Sequence, residues 1–346
     1  MSRRTLTLLL ACTLLLGLGG FAGASAVPYV ALAPGPTFNT LGETGGREVI
    51  TITGRKTYPD SGNLNLTTIS VINRLTLLQA VRGWFQSDLA VVPREVIYPP
   101  DTSEADVRKQ DIAAMTESKD SATTAALNQL GIPGTTKVFV QEVQDGSPSV
   151  GKLKADDVLT SVDGTAITDA AALRGRIGAR KPGAKVIIGL VRDGKAAQVT
   201  IVTGSTRDKD GTVRPVIGVL TSERTDYPVK VDISLKDVGG PSAGLMFSLG
   251  IIDKLTPGSL TNGKFIAGTG TIDNAGIVGP IGGIQQKLIG ARDKGAVAFL
   301  VPKANCAAAV DHPPKGLTLI QVTSLKDALG QLGRLSGGKP TTPCPS

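Results

Sequence analysis

The chain has 346 residues, 41% hydrophobic and 19% charged, the balance of a globular protein with room for two or three cores, which at 3% aromatic residues must be aliphatic. A net charge of +8 without a dense Lys/Arg block or aromatic interleaving argues against nucleic-acid reading and for general attraction to an anionic membrane or wall. One histidine, His312, excludes a multi-histidine metal site, and no cysteine spacing fits zinc, so no metal or other cofactor is expected.

Arg3 and Arg4 precede Thr5 to Leu32, a stretch without a charged residue. Residues 1–32 therefore form a membrane-targeting segment with its positive flank on the cytoplasmic side. Two outcomes compete. Ala24-Ser25-Ala26 offers small residues for signal peptidase, whereas the uncharged run exceeds the roughly 20 residues needed to span a bilayer. The uncleaved single-pass anchor, with the rest of the chain extracytoplasmic, is the reading taken. Cys12 then lies inside the span as a buried thiol.

Residues 33–132 read as an α/β scaffold without visible chemistry. Val49 to Thr53 is a strand by composition, Leu64 and Leu66 alternate with Asn65 and Thr67 ahead of Ile69 and Val71 as a second, and helices follow over Leu75 to Trp84 and Asp101 to Leu130.

Residues 133–205 change texture, with short apolar strands (Val138-Phe139-Val140, Val186 to Val191, Val199-Thr200-Ile201) between glycine turns. The run from Asp145-Gly146-Ser147-Pro148 to Ser161-Val162-Asp163-Gly164 resembles the PDZ domains attached to bacterial proteases. Such domains bind extended peptide ends by strand addition. A Gly-Φ-Gly-Φ carboxylate loop is not visible at its expected place.

Residues 206–335 carry the chemistry. Val231, Ile233 and Leu235 alternate with polar residues as on a half-buried strand, Gly239-Gly240-Pro241 breaks the pattern, and a helical one begins. Pro241 suits a first helical turn, which would place Ser242 where free backbone donors point outward and can hold an oxyanion. A serine needs a base, and in Ser-Lys arrangements that base is a neutral lysine. Lys287 lies between Pro280-Ile281-Gly282-Gly283-Ile284 and Leu288-Ile289, company that disfavours the ammonium. Gly-Gly-Pro-Ser-Ala-Gly (239–244), Gly-Pro-Ile-Gly-Gly-Ile-Gln-Gln-Lys-Leu (279–288) and Gly-Ala-Val-Ala-Phe-Leu-Val-Pro (295–302) together resemble the Ser-Lys (S16-like) proteolytic domain of Lon proteases over Thr221 to Leu335. The resemblance implies Ser242 as nucleophile and Lys287 as base, with Gly239, Gly240 and Ala243 as oxyanion or turn support. Lon proteases carry a Gly-Glu-Ile-Thr run upstream of the lysine where this chain reads Gly270-Thr271-Ile272-Asp273.

Gly258 to Phe265 has the glycine and lysine spacing of a phosphate-binding loop but lacks the Ser/Thr that would hold magnesium, so no ATP site is expected. His312, in Asp311-His312-Pro313-Pro314, reads as a loop residue. Cys306 and Cys344 lie in the extracytoplasmic part, where a disulfide pinning the tail 336–346 and two unrelated thiols are both open.

The arrangement resembles the bacterial membrane-anchored PDZ-Lon proteases. It implies an α/β (α+β) multidomain chain with an N-terminal transmembrane helix, acting as an ATP-independent serine endopeptidase on extracytoplasmic or membrane proteins. Its partners would be protein or peptide substrates and the cell membrane, not nucleic acid, and a homo-oligomer is compatible with it. The rival is a non-catalytic PDZ-type adaptor on an inactive Lon-like platform. Intact Ser242 and Lys287 favour the enzyme.

Overall fold

The computed structural model describes residues 3–59, 61–207, 211–235 and 238–345. The chain divides into two compact units: Met1–Ile132 together with Val229–Ser346, and Pro133–Pro228 between them. Helix α1 (Arg3–Ala24) is, from Arg4 onward, long and apolar enough to cross a membrane, a property that anchors and signal sequences share. Strands β1 (Tyr29–Asn39), β2 (Ile50–Thr53) and β3 (Asn63–Ile72) follow. Helix α2 (Leu77–Trp84) starts two residues later than its periodicity predicts because Thr76 and Gln79 form a reciprocal capping box. After β4 (Ala90–Pro93), Ser103 caps the long helix α3 (Glu104–Gln129) through the Asp106 N–H.

The inserted unit is an antiparallel sheet of β5 (Thr135–Val143), β6 (Val158–Val162), β7 (Lys185–Arg192), β8 (Lys195–Val202) and β9 (Val219–Asp226), in the order β8-β7-β6-β5-β9, with helix α4 (Ala170–Gly178). Val138, Leu159, Leu173, Ile188 and Ile201 are among its aliphatic core. By its contacts the unit runs to Pro228 and so includes β9, which the sequence reading placed in the region 206–335, and a turn at Ile217-Gly218 leads into β9. Gly218 has φ +71° and a Cβ there would fall 2.2 Å from the Ser147 Cβ, so only glycine fits. Among the described residues β9 ends the sheet with one edge not paired with a strand, and a cavity of about 1080 Å³ is lined by Leu173, Ile177, Ile217, Gly218 and Leu220 of α4 and the start of β9.

The chain then returns to the first unit. Strand β10 (Lys230–Ile233) pairs with β2, and α5 (Gly244–Leu255), β11 (Phe265–Gly268), β12 (Thr271–Ile272), β13 (Val278–Gly279), α6 (Ile284–Asp293), β14 (Ala298–Pro302), α7 (Cys306–Asp311), β15 (Thr318–Val322) and α8 (Leu325–Ser336) complete it. The main sheet has the order β15-β14-β11-β3-β1-β4. The pairs from β15 to β3 are parallel and the last two antiparallel, so half the sheet comes from β1, β3 and β4, of which the sequence reading saw only β3 as a strand, within a separate scaffold, and gave the first residues of β1, to Leu32, to the membrane segment. Leu64 to Thr67 on central β3 are buried in succession, the polar Asn65 and Thr67 included, because the parallel half of the sheet is covered on both sides. All twelve residues of α5 are buried, the polar Ser248, Asp253 and Lys254 among them.

The loop resembling a phosphate cradle is a turn. The Ser259 and Thr261 hydroxyls donate to the Ser61 carbonyl, and Lys264 Nζ donates to the Leu335 carbonyl at the end of α8. A disulfide joins Cys306 to Cys344 with Cα atoms 5.1 Å apart. It holds the tail beside edge strand β15, where the Gln321 N–H donates to the Thr342 carbonyl. The bridge spans 38 residues, so Cys344→Ser should lower stability by roughly 2–4 kcal/mol in denaturant titrations. A midpoint equal to that of the unchanged chain would show that the tail contributes nothing.

Candidate active site

Ser242 sits in a turn two residues before α5, whose first helical residue is Gly244 and whose N-cap is Ala243. The helix starts later than Pro241 suggested, since Gly240 adopts φ +82° and the turn through Pro241-Ser242 comes first. Helix α3 braces this turn. The Gly240 N–H donates to the Asp111 carbonyl (2.9 Å) and the Ser118 hydroxyl to the Pro241 carbonyl (3.0 Å). A Cβ on Gly239 would come within 2.7 Å of the Asp111 Cβ, so glycine is needed for the close approach. From the other side, the Ser242 carbonyl accepts the Gly270 N–H (2.9 Å) and the Thr269 hydroxyl (3.0 Å). Gly239 and Gly240 thus support the turn, with the Gly240 N–H already committed, and Ala243 is buried with its carbonyl accepting from the Phe247 N–H.

Lys287 comes from the first turn of α6, which begins after Gly283 in the left-handed conformation (φ +67°). A Cβ on Gly283 would fall 2.8 Å from Ile69 Cγ2, and this close packing sets α6 against β3. The Lys287 side chain is 2% exposed. Its Nζ lies 2.8 Å from Ser242 Oγ, 2.8 Å from the Thr67 carbonyl oxygen and 3.1 Å from Thr269 Oγ1. Leu66 on β3 pairs with Gly268, the last residue of β11, so Thr67, midway along β3, and Thr269, just past the end of β11, follow that pair on two parallel strands. None of these three partners carries a charge. Burial therefore lowers the ammonium from its ordinary 10.5 to about 8.

The structure brings Ser242 and Lys287 together and adds partners that the sequence reading missed: Thr67, Ser118 and Asp111 from the supposed scaffold, and Thr269. Only Thr269 had a local signal, adjoining the Gly270-Thr271-Ile272-Asp273 segment that departs from the Lon pattern. Its hydroxyl can donate to the Ser242 carbonyl while accepting from Lys287. His312 is exposed at the end of α7 beside the Asp311 carboxylate (3.0 Å).

With this geometry in view, residues 221–332 match the family model of the Lon protease (S16) C-terminal proteolytic domain, and residues 104–203 match that of the PDZ domain. The chain carries a Lon-type proteolytic domain. The PDZ match begins within α3 of the first unit and ends before β9. Among curated relatives, a Lon protease of Azospirillum brasilense is 36% identical over 110 residues, 31% of this chain and 13% of that protein. The "Periplasmic pH-dependent serine endoprotease DegQ" of Escherichia coli (strain K12) is 44% identical over 64 residues, 18% of this chain and 14% of the relative. This chain thus spans about one seventh of those relatives' lengths. The solved PDZ domain of an SdrC-like protein from Listeria monocytogenes is 31% identical, covering 24% of this chain and 85% of that one with a TM-score of 0.22.

Burial of Lys287 sets a pH dependence of stability. Below about pH 8 the lysine is charged in both folded and unfolded chains and its burial cost is fully present; between 8 and 10.5 the unfolded chain binds more protons, so stability rises with pH. Lys287→Met lacks this slope. From about pH 7 to about pH 11 wild type should gain on the order of 3 kcal/mol relative to the variant in urea titrations. Parallel stability curves would mean that the folded chain holds its lysine with an ordinary pKa.

Proposed function

We propose that this chain is a membrane-anchored, ATP-independent serine endopeptidase in which Ser242 is the nucleophile and Lys287 its general base. The reading is carried by the 2.8 Å separation of Lys287 Nζ from Ser242 Oγ in a buried site that lowers the lysine to about 8. At pH 7 about a tenth of the molecules then hold a neutral lysine, and an ordinary surface lysine would leave far fewer. Neutral Nζ takes the hydroxyl proton as Oγ bonds to the scissile carbonyl carbon. The carbonyl π electrons move to oxygen, and N–H groups at the mouth of α5 stabilise that oxyanion, the Gly240 N–H excepted because it already donates to Asp111. When the C–N bond breaks, Lys287 gives its proton to the departing amine. Water then attacks the acyl ester with Lys287 again as base, releasing the acid and restoring Ser242. Thr269 and the Thr67 carbonyl keep the amine aimed at Oγ by accepting its other hydrogens.

The cavity beside β9 supports capture of an extended peptide by the inserted unit: an unpaired strand edge offers main-chain partners, and Leu173, Ile177 and Leu220 offer an apolar seat. An N-terminal helix able to span a membrane supports an extracytoplasmic site of action.

Ser242→Ala and Lys287→Ala should each remove proteolysis of an unfolded protein nearly as fully as the double change, because nucleophile and base act as a unit. kcat/KM on a fluorogenic peptide should rise with pH through a midpoint near 8 and stay high in alkali. A Lys287→Ala enzyme with most of its activity, or a midpoint that moves with His312→Ala, would remove the dyad. Separately, Leu220→Asp should weaken binding of peptide C-termini about tenfold while leaving hydrolysis of short peptides intact. Unchanged peptide affinity would place peptide capture elsewhere.

A further inference from the structure

Helix α2 turns an apolar face outward. Leu77, Leu78, Val81, Trp84 and Phe85 share one side at helical spacing and all are exposed, Leu78 at 60%, Trp84 at 57% and Phe85 at 88%. Ala80 and Gly83 face inward, where a Cβ on Gly83 would meet Val91 Cγ2 at 2.7 Å, so the side toward the sheet is already filled. The helix is eight residues long with a complete capping box, and Trp84 is fixed edge-to-face against Tyr29 with ring centroids 6.0 Å apart. The apolar face is thus rigidly displayed.

Its place in the chain indicates what covers it. Helix α1 ends at Ala24, and the next residues are tied by main-chain hydrogen bonds to the start of α2: the Leu77 N–H donates to the Ser25 carbonyl (3.1 Å) and the Val27 N–H to the Leu75 carbonyl (2.9 Å). The patch therefore adjoins the point where a membrane-spanning α1 leaves the bilayer. A Trp and a Phe beside leucines, with the exposed cations Arg74 and Arg82 at hand, match the chemistry of elements that lie between headgroups and acyl chains.

We propose that the apolar face of α2 lies in the membrane surface, its aromatic residues at the headgroup–acyl boundary, so that the chain meets the bilayer through a second contact beyond α1. This rests on α1 as an uncleaved anchor. The contact would hold the residues after the span against the bilayer and restrict how the first unit swings about its anchor.

Trp84 is the only tryptophan in the sequence, which makes it a built-in reporter. The full-length chain is reconstituted into phosphatidylcholine–phosphatidylglycerol vesicles with or without bromine high on the acyl chains, and flotation is scored beside Trp84 emission. Flotation with Trp84 emission quenched at least twofold by the brominated lipid is expected, and Leu78→Glu/Phe85→Glu should float equally but lose most of that quenching, with peptide hydrolysis unchanged. Flotation without quenching overturns the α2 contact and leaves the anchor standing; failure to float overturns the anchor and the contact with it. Quenching equal in the charged variant shows that proximity to α1, not the apolar face, brings Trp84 to lipid, and overturns the proposal. An unquenched Trp84 whose emission shifts with protein concentration assigns the face to a second copy of the chain, and overturns it too.

Discussion

Everything around the site follows from keeping one lysine dry. An ammonium out of water, with two oxygens of neutral hydroxyls and one carbonyl as its partners, is held at a cost that a nearby carboxylate would reduce, and that cost is what lowers Lys287 to about 8. A carboxylate partner would have kept the amine charged and useless as a base. The neutrality of Thr67, Thr269 and Ser242 is therefore as much a part of the proposed chemistry as the lysine itself.

Holding those partners in place takes elements far apart in the chain. Strand β3 brings the Thr67 carbonyl, β11 leads into Thr269, α6 carries the lysine, and α3 braces the Ser242 turn through Asp111 and Ser118. Lys119, one residue beyond Ser118, donates to the Ile233 carbonyl at the end of β10 (2.8 Å), so α3 also holds the strand that leads toward the turn. Ser248 extends the link by donating to the Ala122 carbonyl of α3 from the buried helix α5. The Lon-type site is thus completed by residues 63–129, outside the stretch that matches the Lon model.

The inserted unit uses a different device. Its cavity is formed by a helix beside an edge strand, and the glycine that admits the chain at Gly218 is required by contact with Ser147. Asp157, almost fully buried, is matched there by the Arg192 guanidinium at 2.7 Å, and those hydrogen bonds hold its carboxyl below the usual range against the opposing effect of burial. Lys287 in the first unit is held by neutral oxygens, whereas Asp157 in the second is held by a guanidinium.

The sequence by itself determined the pieces whose information is local. The glycine-proline break before Ser242, the apolar company of Lys287 and the uncharged run whose first part, to Ala24, is α1 are read from neighbours within a turn or two, because helix periodicity and local breaks act over that range, whereas the capping box that starts α2 at Leu77 was passed over. The pairing of β3 with β11, residues 63–72 with 265–268, has no local signature, since a strand's partner is chosen by which edges meet when the core closes. For the same reason Thr67 read as an ordinary strand residue and α3 as a scaffold without chemistry. The pairing of β9 with β5 has no local signature either, since the two lie 76 residues apart in sequence, Val219 against Val143. Tertiary structure alone decided that a backbone carbonyl, a threonine and two remote residues of α3 surround the Ser-Lys pair, because burial and desolvation belong to the packed core and not to any stretch of chain.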